Sequence, residues 1–67
     1  SLIWYNRGVA LTQLEKYDDA ISSYNKAIEI SPGYADAWYN KGELLKHKEQ
    51  IDEAEKCFLK VKELESE

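Results

Sequence analysis

Apolar residues recur along this chain at steps of three and four, the spacing that puts side chains on one face of a helix. The pattern runs from Leu2 to Leu14, breaks, and resumes from Asp18 to Ile30, and the second half of the chain does the same. It predicts four helices, at roughly 2–14, 18–30, 36–48 and 52–65. Asp18 and Asp52 stand at two of the predicted starts, where a carboxylate can cap free amides and meet the positive end of the helix dipole. Pro32 and Gly33 close the second helix and turn the chain. Glu15-Lys16-Tyr17 and Glu49-Gln50-Ile51 are connections short enough to force antiparallel hairpins. Nothing reads as a strand or a linker, so the expected class is all-α.

The two halves are nearly one sequence written twice. Trp4-Tyr5-Asn6-Arg7-Gly8 returns 34 residues later as Trp38-Tyr39-Asn40-Lys41-Gly42. At the same offset Leu11 meets Leu45, Asp18 meets Asp52, Ala20 meets Ala54, Tyr24 meets Phe58 and Glu29 meets Glu63. A fixed period of this length marks stacked helical hairpins that share one core. The division is 1–34 and 35–67, one structural unit of two repeats. Gly8 and Gly42 lie one turn from Trp4 and Trp38, and small Ala20 and Ala54 are expected opposite them, so that paired helices approach closely. Tyr24 and Phe58 are expected to wedge between the helices of a hairpin and the start of the next.

Trp4, Gly8, Leu11, Ala20, Tyr24, Ala27 and Pro32, with Trp38, Gly42, Leu45, Ala54 and Phe58, resemble the tetratricopeptide repeat at its characteristic spacing over the whole chain. Departures from that pattern are Arg7 and Lys41 for the usual leucine, Glu15 and Glu49 at a turn place where the family favours glycine, and Val61 and Ser66 for a small residue and proline. The resemblance implies part of a right-handed α-solenoid, acting as a protein-interaction scaffold that holds an extended peptide or a partner helix in its concave groove. It implies no enzymatic activity and no cofactor.

Each first helix presents three faces at about 100° per residue. One is the core face. A second, Ile3, Arg7, Ala10 and Leu14 in one copy and Ala37, Lys41, Leu44 and Lys48 in the other, must pack against whatever repeat precedes. The third has no internal partner: Leu2, Tyr5, Asn6, Val9, Thr12 and Gln13, then Asp36, Tyr39, Asn40, Glu43, Lys46 and His47. In proteins similar to this one that face lines the groove. Related arrays use asparagines at the places of Asn6 and Asn40 to bond a peptide main chain, since one carboxamide offers both donor and acceptor. Tyr5 and Tyr39 would add broad contact with a polar tip. The carboxylate clamp found in some relatives is not expected, because Tyr5 and Val9 stand where a lysine and another asparagine would be needed. Asp36 and Glu43 beside Lys46 and His47 leave the groove mixed in sign.

The ends of the unit differ. Ile21 and Ile28 sit where helix two would cover the next hairpin, and their counterparts Glu55 and Lys62 are charged, so the array is expected to end at the fourth helix or nearly so, as part of a longer array. Ile3, Ala10 and Leu14 form an open apolar stripe at the other end, and such a stripe invites association. Self-association through it, giving a homo-oligomer, is the alternative function.

Charge and composition narrow the partner. Nine Lys and Arg against thirteen Asp and Glu, dispersed over 67 residues, lack the clustered basic patch of a nucleic-acid surface. No run approaches a membrane span, and neither a secretory signal nor a second cysteine is present, which favours a cytoplasmic protein. Glu43 and His47 are four apart on one face, but a zinc site needs three or four ligands, so no metal site is expected. Cys57, beside Phe58, reads as a small hydrophobe with no base to activate it.

Overall fold

The computed structural model describes residues 2–66. It contains α1 (Leu2–Gln13), α2 (Tyr17–Ile30), α3 (Ala35–His47) and α4 (Ile51–Glu65), and among the described residues no strand. α1 packs on α2, α2 on α3 and α3 on α4. The result is two hairpins side by side in a slab of 33 × 26 × 15 Å.

The helices begin one residue earlier than the periodicity suggests at α2, α3 and α4, and the cause lies in the turns. Glu15 and Glu49 adopt left-handed φ values of 62° and 64°. The Lys16 amide then bonds the Leu11 carbonyl at 2.9 Å and the Glu15 amide the Thr12 carbonyl at 2.9 Å, while Gln50 and Glu49 repeat this on Leu45 and Lys46. This is the Schellman closure, which satisfies the last carbonyls of a helix through one left-handed residue. The chain leaves it already aimed into the next helix. Asp18 and Asp52 therefore do not cap: the flanking residues are Lys16 and Gln50, neither with a side-chain cap bond, and the aspartates sit within the first turn. There they still face the positive end of the dipole. Between the hairpins, the Tyr34 amide bonds the Ser31 carbonyl at 3.0 Å around Pro32 and Gly33, and Trp38 Nε1 donates to the Pro32 carbonyl at 2.9 Å.

The centre of the molecule lies between the hairpins. Ala20, Ala27 and Ala37 are wholly buried, and Tyr24 and Leu44 are the largest fully buried side chains. Three alanines across α2 and α3 let the helices close up on a single tyrosine ring. A second cluster, Leu45, Ala54 and Cys57, joins α3 to α4, and Ile21 packs against both. One expectation needs revision. What Gly8 makes room for is the ring of Tyr24, not Ala20: a Cβ at Gly8 would lie 2.6 Å from Tyr24 Cε1, and one at Gly42 would lie 2.7 Å from Phe58 Cε1. With no carbon on the facing helix to hold it off, the aromatic ring comes close against the glycine. The indoles of Trp4 and Trp38 are half-buried flanking groups.

Two stability changes follow. Gly8→Leu drives a side chain into the Tyr24 ring and is expected to cost about 1–3 kcal/mol, read as a lower urea midpoint. Glu15→Gly or Glu49→Gly relieves a left-handed non-glycine residue and is expected to raise stability by about 0.5–1 kcal/mol each in the same titration.

Candidate functional site

The face shared by α1 and α3 is built on a hydrogen-bonded bridge between the repeats. Tyr5 of α1 leans toward the second hairpin, stacked on Tyr34 at 5.2 Å and tilted against Tyr24 at 5.8 Å. Asn40 of α3 donates through Nδ2 to the Tyr5 hydroxyl at 2.9 Å and, at 3.5 Å, to the Tyr24 hydroxyl. Burial among these groups, with Tyr5 and Asp36 nearby, raises the Tyr34 hydroxyl above the usual tyrosine value. The two asparagines expected to act alike are therefore different. Asn40 is half-buried with its amide nitrogen committed to tyrosines, and Asn6 is exposed with no side-chain partner among the described residues. Tyr5 is likewise part of the packing, whereas Tyr39 is 45% exposed.

Beside this bridge lies a cleft of about 230 Å³. Val9, Thr12 and Gln13 form its α1 wall, Asn40, Glu43, Leu44 and His47 its α3 wall, and Tyr24 of α2 closes the bottom. Thr12 turns its hydroxyl back onto the Gly8 carbonyl at 2.8 Å, leaving its methyl for the cleft. Glu43 is half-buried one turn along α3 from Tyr39, and its carboxylate, as an acceptor for the phenolic hydrogen and as a charge, raises the Tyr39 hydroxyl above its ordinary value. The His47 ring stacks on Tyr17 at 5.6 Å, so α3 is pinned to the start of α2 at this end, next to an ion pair between Lys48 and Asp18.

Of the groove residues expected from sequence, Val9, Asn40, Glu43 and His47 thus meet in one cleft, with Thr12 and Gln13. Leu2, Asn6 and Asp36 lie exposed along the same face outside it, and Lys46 lines a neighbouring shallow cleft with Glu43, His47 and Glu49. Tyr24 and Leu44 are the residues a face-by-face reading misses. Both were assigned to packing, and they are, but each also shows an edge to the cleft.

The second candidate surface is the open edge of α1. Ala37 and Leu44, covered by the preceding hairpin, are buried, while Ala10 is exposed, Ile3 is 82% exposed and Leu14 66% exposed. On this edge the Arg7 guanidinium lies over the Trp4 ring at 5.8 Å, as the Lys41 ammonium lies over Trp38 at 5.6 Å. At the far end Glu55 and Lys62 are exposed, as is Leu59.

Cys57 is buried, and that burial pushes its thiol up, the wrong direction for a nucleophile. Among the described residues no group of three or more His, Cys, Asp and Glu side chains stands where it could hold a metal ion, and no helix is long and apolar enough to cross a membrane.

Two family models described as tetratricopeptide repeat match the chain, at residues 1–34 and 23–56. The crystal structure of MamA superimposes with a TM-score of 0.93 at 35% sequence identity, covering 94% of this chain. This chain spans only 37% of that one. No curated protein matches. The likeness shows the four helices to be a segment of a helical repeat solenoid.

The Tyr39–Glu43 contact gives a pH-resolved test of the cleft's rim. The carboxylate accepts the phenolic hydrogen and its charge opposes tyrosinate, so both effects hold the proton on. Glu43→Gln is expected to lower the Tyr39 titration point toward 10.0, followed by the Tyr39 ring carbons in NMR.

Proposed function

Because this chain belongs to the tetratricopeptide repeat family, whose members are protein-interaction repeats and generally non-catalytic, we propose that it holds an extended segment of a partner protein against the face shared by α1 and α3. The observation that carries the reading is the cleft between Val9 and Leu44, which draws its walls from both repeats and so exists only where they stack. An apolar floor gives a side chain somewhere to go. The carbonyl oxygen of Asn40 stays available for a main-chain or side-chain N–H, and exposed Asn6 offers a second polar contact along the same face. The partner is protein, since an acidic chain with dispersed basic residues gives phosphates no patch to sit on. A buried single thiol fits a reducing compartment, and we assign the protein to the cytoplasm.

A second reading has its own observation. The stripe Ile3, Ala10 and Leu14 is open where its counterpart in the second repeat is covered, and a second copy of the chain is one surface able to cover it.

One experiment separates the two. With p-benzoylphenylalanine in place of Gln13, on the cleft wall, irradiation in source-cell lysate is expected to attach a foreign protein, and the same group in place of Glu55 on α4 is not. Crosslinks that form only when the probe replaces Leu14, and that join two copies of the chain, would overturn the groove reading in favour of self-association.

A further inference from the structure

We infer that the cleft between α1 and α3 takes a lysine or arginine side chain of the partner segment, its stem on Val9, Tyr24 and Leu44 and its cation between the Glu43 carboxylate and the Asn40 carbonyl oxygen. The inference rests on the groove reading and adds the class of residue that the groove selects.

Size gives the first argument. At about 230 Å³ the cleft is smaller than the ~300–1,000 Å³ of a small-molecule site and suits one side chain. The second argument is the polarity of its rim. Asn40, which lines the cleft, has given its N–H to the tyrosines, so the group it has left to offer is an acceptor. Glu43 is an acceptor as well. Glu43 and Asn40, side by side on the α3 wall above an apolar floor and with Gln13 and His47 at the margins, match a long side chain with an apolar stem and a cationic tip. The third is charge. Four ion pairs join described residues, Lys26 with Glu29, Lys48 with Asp18, Lys56 with Glu53 and Lys60 with Glu63, and Glu43 is in none of them. The group beside it is the uncharged Tyr39 hydroxyl. A half-buried carboxylate without a cation gains from one that arrives with a ligand, and the low surrounding polarity strengthens the pair. Lys46 and His47 share the adjoining cleft with Glu43 and Glu49, yet neither forms an ion pair with Glu43.

The same features reject the alternatives. An acidic side chain would meet the Glu43 carboxylate and an Asn40 N–H already given to the tyrosines, with only Gln13 and His47 on the outer walls to receive it. An aliphatic one would cover the carboxylate without pairing it, which costs free energy.

The test uses blocked pentapeptides with four glycines around a central Arg, Lys, Leu or Glu, titrated into the isotope-labelled chain and followed by amide chemical shifts. The Arg and Lys peptides are expected to move Val9, Asn40, Glu43 and Leu44, and to bind at least roughly tenfold more tightly than the Leu peptide, the scale of one charge-assisted bond, with the Glu peptide weakest. Glu43→Gln should bring Arg and Leu together, and Glu43→Lys should reverse the order in favour of Glu, which a merely misfolded variant could not do. Arg and Leu peptides binding alike to the unaltered chain, or an Arg preference that survives Glu43→Gln, would overturn the inference and leave the groove reading in place. Shifts confined to other surfaces with every peptide would overturn both.

Discussion

The contact on which the rest depends is an aromatic ring laid on a glycine. Gly8 and Gly42 remove the carbon that would otherwise hold Tyr24 and Phe58 away from the facing helix, and each hairpin closes to the thickness of a ring on backbone. Because van der Waals attraction falls off within a fraction of an ångström, that closeness brings the flanking alanines of α2 and α3 into contact with their neighbours as well. Among the described residues, a core of eight buried apolar side chains, five of them smaller than leucine, can hold these helices only if nothing props them apart. Small residues here do what large ones do in thicker domains.

The same closeness positions the cleft between α1 and α3. Tyr24 reaches far enough through the α1–α3 seam to place its ring under the cleft and its hydroxyl beside Asn40, so one side chain is both core and floor. Pulling α1 away from α2 would withdraw the floor and loosen Tyr5 from Asn40 at once. Core and cleft share their atoms.

The repeat and the hairpins were legible because periodicity is a property of one chain read in order. Val9, Asn40, Glu43 and His47 share a helix face in the periodicity and line one cleft in the fold for that reason. What was hidden depends on two helices meeting at a given distance. Asn6 and Asn40 are the same letter at the same place, yet only Asn40 has a hairpin beside it whose tyrosines take its amide. Asp18 and Asp52 looked like caps because their residue type favours that role, and the left-handed turn at Glu15 and Glu49 moved the helix start past them. The turn itself carried a clue, since glutamate at a place that suits glycine signals a backbone conformation that composition alone does not.

The bridge from Tyr5 and Tyr24 to Asn40 makes the two hairpins unlike each other in a way that their shared letters conceal. The second hairpin presents Tyr39 at the first of these places but Phe58, which has no hydroxyl, at the other. Were the two hairpins joined in the reverse order, Asn6 would come to lie beside one hydroxyl instead of two, and Ile3 and Ala10 would press on Glu55 and Lys62. The order of the halves is thus written into the chain as chemistry: each hairpin recognises which side of its neighbour it belongs on, and a near-perfect duplication has acquired a direction.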